Sequence, residues 1–162
     1  HEITKVKVCY CGDYFQNDRN LIPLFEAMES LSDSCIFTVA GNTDLSIVSH
    51  DNITVLPRVD KNKVDEIESE SDLIVCVCNK SGTQIPGKIY HAAATNRAVL
   101  ILLDGAEGNE LKKYFEKFNR FFFCNNDTIE IRKFMENFAS QNAAFFPCKE
   151  LSSDVIAKKF ID

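Results

Sequence analysis

The chain has 162 residues, which is the usual size of one domain and enough to bury a hydrophobic core. Its 45% of hydrophobic and 26% of charged residues are typical of an ordinary soluble globular protein. The net charge of −6, with no stripe of Lys and Arg, argues against a nucleic-acid-binding surface. No apolar run reaches the roughly 18 residues that a membrane span needs, so no membrane span is predicted.

Strand and helix patterns alternate along the whole sequence. The strand patterns are Lys5–Cys11, Cys35–Ala40, Ile53–Leu56, Asp72–Cys78, Ala98–Leu103 and Phe121–Cys124. The helix patterns are Leu21–Leu31, Lys63–Ser69 (short and exposed), Pro86–Thr95, Glu107–Phe118 and Ile129–Ala139, followed by an amphipathic tail at Ser152–Ile161.

Near-continuous apolar strands separated by helices are typical of a parallel sheet covered on both faces. The sequence therefore predicts the α/β class, with a doubly wound, Rossmann-like parallel sheet of about six strands. No linker, repeat or low-complexity tract interrupts residues 1–162, so we expect a single domain. The sequence does not start with Met, which suggests a piece of a larger protein. The early first strand leaves no room for a signal peptide and predicts a cytoplasmic location.

Four of the seven cysteines form C-x-C pairs inside strand patterns, Cys9 with Cys11 and Cys76 with Cys78. Strand alternation places both members of a pair on one face of the sheet. A zinc site made of four thiolates is conceivable. Small buried hydrophobes in a reducing cytosol are the favoured interpretation, because thiolate ligands usually come from loops.

Two loops at the predicted carboxyl ends of strands carry informative residues. The first runs from Gly12 to a helix start and contains Arg19, but it lacks the G-x-G-x-x-G dinucleotide pattern. Arg19 beside a helix N-terminus could bind a phosphate, or it could simply be a solvated surface residue. The second loop contains Gly41, which permits a tight turn whether or not a ligand binds.

A third loop follows the fourth strand and leads into the helix at Pro86. Ser81–Gln84 are small or polar, and Gly82 and Gly87 allow close approach of a ligand. Lys88 stands in the first helical turn, where the helix dipole disfavours a cation, so an anion nearby is one explanation and extension into water is the other. His91 follows one turn later on the same helix, and its spacing alone does not define a role.

Taken together, these loops resemble the C-terminal, donor-binding domain of GT-B glycosyltransferases. The resemblance is to the large retaining group (glycosyltransferase group 1, or family 4) that includes sucrose synthases and bacterial capsule and lipopolysaccharide transferases. The segment GTQIPGKIYHAAATNRAVLIL resembles the family pattern G-x-x-I-P-x-K-x-x-E-x-x-A-x-x-x-P-V-L. CGDYFQNDRNLIPLFEAM, IFTVAGNTD and NITVLPRVDKNKVDEIESESDLIVCV resemble further family segments in the same order, so the resemblance covers nearly the whole chain.

The resemblance implies a nucleotide diphosphate sugar, UDP- or GDP-linked, as the donor, and a saccharide or lipid-linked acceptor bound by a missing N-terminal domain. It implies that Arg19 and Lys88 stabilise the departing diphosphate, so that no metal or further cofactor is needed. The residues it implies for donor binding are Gly12, Arg58 (with its neighbours Pro57 and Val59), Ser81, Gly82, Thr83, Gln84 and His91. The intact enzyme would be cytoplasmic or peripheral at the inner face of a membrane.

The sequence departs from the family pattern at the residues expected to bind the ribose. Ser81 or a residue near it stands where the family has the first acidic residue of its E-x7-E pair, His91 stands at the second, and Ala98 replaces a Pro. A neutral imidazole accepts one hydrogen bond where a carboxylate accepts two. A degenerate domain acting as a non-catalytic structural or interaction module is therefore the alternative. A receiver-like domain is disfavoured because Asp13 and Asp104 do not form the acidic cluster that it needs.

Overall fold

The computed structural model describes residues 5–78, 87–105 and 108–138. Its strands are β1 Val6–Cys11, β2 Cys35–Ala40, β3 Ile53–Leu56, β4 Leu73–Val77, β5 Ala98–Leu103 and β6 Phe122–Asn125. Its helices are α1 Ile22–Glu29, α2 Lys61–Ser69, α3 Gly87–Ala93, α4 Gly108–Glu116 and α5 Thr128–Phe138. Each predicted strand and helix before the tail is present, with ends that differ from the predicted ones by a few residues. Pro86, Glu107, Ala139 and the predicted tail helix Ser152–Ile161 lie outside the described residues.

The six strands form one parallel sheet in the order β3-β2-β1-β4-β5-β6. Helix α1 and the final helix α5 cover one face, while α2, α3 and α4 cover the other. β4 and β5 are buried along their entire length, which explains why their sequences are uninterrupted apolar runs. The predicted doubly wound α/β fold is therefore confirmed.

Strand alternation assigns the side chains of β1 to two separate cores. Val8 and Tyr10 pack in the α1/α5 layer, and Cys9 and Cys11 pack in the α2/α3/α4 layer. The C-x-C pairs are thus buried free thiols of one layer, as the favoured interpretation of the sequence expected. Complete burial raises the pKa of Cys76 to about 12, which keeps that thiol protonated.

The strand order changes direction between β1 and β4. β1 pairs with β2 over its full length, from Val6 opposite Cys35 to Cys11 opposite Ala40. With β4, in contrast, the described pairing consists of Val8 opposite Leu73 and Cys9 opposite Ile74. The strands next to this point are followed by helices on opposite faces, so their carboxyl ends border a crevice of the kind in which doubly wound proteins bind ligands.

Among the described residues, no helix is long and apolar enough to cross a bilayer.

Candidate functional site

The loop after β1 lies directly against the loop after β2. The backbone N–H of Gly12 donates to the carbonyl oxygen of Ala40 at 2.8 Å, and the N–H of Asn42 donates to the Asp13 carboxylate at 2.9 Å. A Cβ atom on Gly41 would lie 1.9 Å from the carbonyl oxygen of Gly12. Gly41 is therefore required by the close approach of these two loops.

Gly12 itself has room for a larger side chain. A Cβ atom there would meet its nearest neighbour, the Tyr10 hydroxyl oxygen, at 3.5 Å, which is an ordinary van der Waals contact. The fold alone thus does not demand glycine at this position. A glycine that packing does not require leaves the backbone open on the side where a ligand would approach.

Arg19 lies at the end of the same loop, three residues before α1. Its backbone φ of 52° is in the left-handed region that non-glycine residues rarely adopt. The guanidinium is about one-third exposed, and its Nε lies 3.8 Å from the Asp18 carboxylate. The first turn of α1 contains no acidic residue, so the partial positive charge of this helix end is not neutralised from within the turn.

The charge of Arg19 acts on Tyr10 of β1. Burial raises the pKa of Tyr10, and the nearby Arg19 charge partly opposes that effect. Tyr10 belongs to the core under α1 and α5, and its hydroxyl donates to the carbonyl oxygen of Asp13 at 2.9 Å. Gly12 and Arg19 thus belong to one loop that follows β1.

Lys88 lies on the opposite face, where it forms an ion pair with a buried carboxylate. Its Nζ is 2.8 Å from Oε2 of Glu68, whose side chain is 4% exposed. Burial lowers the pKa of Lys88, but the Glu68 carboxylate outweighs this effect, so the net pKa lies above its ordinary value. Lys88 also helps to lower the pKa of Cys11, after the larger effect of a hydrogen bond from Cys9.

His91 contacts the other oxygen of the same carboxylate. Its Nε2 lies 3.2 Å from Oε1 of Glu68 and 4.0 Å from Oδ1 of Asp65. These three residues together are a group that could hold a metal ion.

The imidazole of His91 lines a groove of about 310 Å³ between α2 and α3, together with Asp65, Glu68, Ser69 and residues 94–97. Residues 94–97 lead into the start of β5, so the groove lies toward the amino edge of the sheet, away from Gly12 and Arg19.

The remaining predicted site residues are Arg58 and residues 81–84. Arg58 is exposed on the segment between β3 and α2, two residues before Asp60, whose carboxylate caps α2. Ser81, Gly82, Thr83 and Gln84 lie outside the described residues. The ligand-binding roles that the resemblance implied for all these residues stay predictions.

Sequence reasoning missed Glu68. The helix Lys63–Ser69 was expected to be exposed, but Ile67 and Glu68 are buried. A signal was present, because Val64, Ile67 and Glu68 are spaced as one face of a helix. A carboxylate on an apolar face needs a cationic partner, and Lys88 provides it.

No family model matches this sequence, and no curated protein matches it. Among solved structures, the chain is similar to a protein from Listeria monocytogenes described as a UDP-N-acetylglucosamine 2-epimerase. The TM-score is 0.52 and the identity 14%, and the match covers 96% of this chain. The chain spans 44% of that protein's length. This likeness shows that the chain has a GT-B-like Rossmann fold.

Proposed function

We propose that this chain is the donor-binding domain of a glycosyltransferase with the GT-B architecture. It binds the diphosphate of a nucleotide sugar at the carboxyl ends of β1 and β4, and another domain supplies the saccharide or lipid-linked acceptor. The observation that carries the proposal is the β1–α1 loop, in which Gly12 is open and Arg19 adopts a strained φ of 52° beside the start of α1. Strained residues occur preferentially at ligand-binding sites.

The fold supports the same class of ligand. The crevice between β1 and β4 is where doubly wound sheets bind nucleotides. The Listeria protein, which shares the fold, is named for a nucleotide sugar. The sequence resemblance to GT-B donor domains, which covers nearly the whole chain, narrows the proposed reaction to sugar transfer.

The chemistry assigned to this domain is electrostatic. Transfer of the sugar leaves negative charge on the nucleoside diphosphate, and positive groups that are already in place stabilise that charge. Arg19, whose contact with Asp18 is a partly exposed pair at 3.8 Å, is the direct ligand in this proposal. Lys88 contributes from its pair with Glu68. Either its positive charge acts on the diphosphate from a distance, or its ammonium group leaves Glu68 and binds the diphosphate directly.

Calorimetric titration with UDP, GDP and ADP tests the proposal. We expect one of these nucleotides to bind the chain, and Arg19→Ala to weaken that binding about tenfold or more through loss of a charged hydrogen bond. Arg132→Ala is the matched control, because Arg132 is an exposed arginine paired with Glu136 on α5. Equal affinity of the Arg19 and Arg132 variants would remove Arg19 from the site.

A non-catalytic module with the same fold is the second candidate. It is favoured by His91, which stands where the resemblance expects a ribose-binding acid and instead contacts Glu68 at 3.2 Å. The module predicts no binding of UDP, GDP or ADP even at millimolar concentration, so the same titration separates the two functions.

A further inference from the structure

We infer that Asp65, Glu68 and His91 form a binding site for a divalent transition metal ion, with Zn²⁺ as the best-fitting ion. The three side chains come from two helices, α2 and α3, and each presents one ligand atom to the same point. These atoms all lie within 4.8 Å of one another. The site shares Glu68, and through it Lys88, with the proposed nucleotide site, but Zn²⁺ binding does not require that the chain binds a nucleotide.

The separations of the ligand atoms suit a tetrahedral ion. Zinc binds imidazole nitrogen and carboxylate oxygen at about 2.0–2.2 Å, which places two tetrahedral ligands about 3.4 Å apart. The 3.2 Å from His91 to Glu68 and the 4.0 Å from His91 to Asp65 bracket that separation. Asp65 is about half exposed, so its side chain can move the short distance that remains.

Glu68 is already held in the orientation that a ligand needs. Lys88 contacts its Oε2 at 2.8 Å, which leaves Oε1 directed at His91. Supporting contacts of this kind are usual for carboxylates that bind metals. The carboxylates of Asp65 and Glu68 face the proposed ion, whereas the Lys88 ammonium contacts the other oxygen of Glu68.

The groove beside the three residues provides space for the rest of the coordination shell. Its volume of about 310 Å³ accommodates an ion and its water ligands. Arg97 also lines the groove, but its guanidinium donates to the backbone oxygen of Ser69 at 2.6 Å. The imidazole nitrogen selects against Mg²⁺ and Ca²⁺, which prefer oxygen ligands, and in favour of Zn²⁺ and its neighbours.

Calorimetric titration of the tag-free chain with Zn²⁺ tests this site. We expect one Zn²⁺ ion to bind, and His91→Ala and Asp65→Asn each to weaken binding by at least about tenfold. His50→Ala is the matched control, because His50 is an exposed histidine that lies 3.5 Å from the carboxylate Glu29 and should bind as the parent does. Circular dichroism of each variant establishes that it is folded.

Cobalt(II) substitution identifies the ligand atoms independently. We expect the visible bands of tetrahedral Co²⁺ with nitrogen and oxygen ligands, and no thiolate charge-transfer band from the C-x-C cysteines. Absence of Zn²⁺ binding, unchanged affinity in both His91→Ala and Asp65→Asn, or a thiolate band would each overturn the proposal. In those cases His91 acts as a hydrogen-bond donor to the Lys88–Glu68 pair.

Discussion

The Nζ of Lys88 on α3 lies 2.8 Å from Oε2 of Glu68 on α2, whose side chain is 4% exposed. The two residues lie on different helices and are 20 positions apart in the sequence (88 minus 68). The pair fixes α3 against α2 and places His91 on the other oxygen of the same carboxylate.

Loss of the Glu68 charge should destabilise the fold strongly. Glu68→Gln leaves the Lys88 ammonium, whose side chain is 24% exposed, without its counter-ion. Breaking a fully buried pair costs about 3–5 kcal/mol, so we expect a loss of about 2–3 kcal/mol here. Urea unfolding measures the loss. Glu66→Gln, which removes an exposed pair with Lys63, is the control and should cost less than about 1 kcal/mol. A double variant Glu68→Gln/Lys88→Met should recover part of the stability, and similar losses for Glu66 and Glu68 would refute the structural role of the pair.

Stability should fall at alkaline pH because the buried thiols resist ionisation. The pKa values of Cys76 and Cys78 are raised by burial from 9.0 to about 12 and about 11. The unfolded chain therefore loses these protons above pH 9 while the folded chain keeps them, which lowers the free energy of unfolding by up to about 1.4 kcal/mol per pH unit for each thiol. Lys88, whose pKa is also raised, acts in the same direction above its ordinary value of 10.5.

Urea unfolding of the parent and of Cys76→Ala between pH 8 and pH 10.5 checks this prediction. The variant lacks one of the raised thiols, so its stability should fall less steeply with pH. A free energy of unfolding that stays constant over this range in the parent would show that the thiols are accessible to hydroxide.

Alanine should lower the free energy of unfolding at Gly41, in the β2 loop, but leave it almost unchanged at Gly12, in the β1 loop. Gly41→Ala forces a Cβ atom to within 1.9 Å of the Gly12 carbonyl oxygen, so we expect a loss of about 2–3 kcal/mol in unfolding free energy. Gly12→Ala meets Tyr10 at 3.5 Å, and its stability should change by less than about 0.5 kcal/mol. If the donor diphosphate contacts this backbone, Gly12→Ala nevertheless weakens nucleotide binding. Retention of full affinity in a folded Gly12→Ala variant would place the ligand elsewhere.

Arg19→Gly should separate stability from binding. Glycine adopts a φ of 52° without strain, so the variant should be as stable as the parent or up to about 1 kcal/mol more stable, although it loses the guanidinium. Asn119→Gly, at the same φ of 52° after α4, is the matched control and should leave nucleotide affinity unchanged. Thermal unfolding and UDP titration of both variants give the comparison. A stable Arg19→Gly variant with undiminished affinity would mean that the left-handed conformation serves only the loop.

The fold could be predicted because its signal is local. The runs Leu73–Val77 and Ala98–Leu103 are apolar throughout because both faces of a central parallel strand are buried. Asp72 precedes the first run, and Arg97 and Asp104 enclose the second. The loop from Gly12 to Arg19 could likewise be placed at the carboxyl edge, since it directly follows the first strand. The strand order then places a crevice at the carboxyl ends of β1 and β4, where it changes direction.

The details of the site could not be predicted in the same way. The partnership of Lys88 with Glu68 depends on which faces of two short helices meet, and the sequence pattern of Lys63–Ser69 was interpreted as exposed. The need for Gly41 arises from the backbone of Gly12, almost 30 residues away (41 minus 12). Both are contacts between distant segments, on which local propensity and spacing carry no information.

Nuclear magnetic resonance titration of the isotopically labelled chain with UDP, and separately with GDP, tests the proposed donor site most directly. We expect one nucleotide to shift the backbone amide signals of Gly12, Arg19 and Ile22, at the loop and the start of α1, with little change at Asp65 or Asn96 beside the groove. No shift with either nucleotide, or shifts confined to the groove between α2 and α3, would contradict nucleotide binding at the carboxyl edge of the sheet.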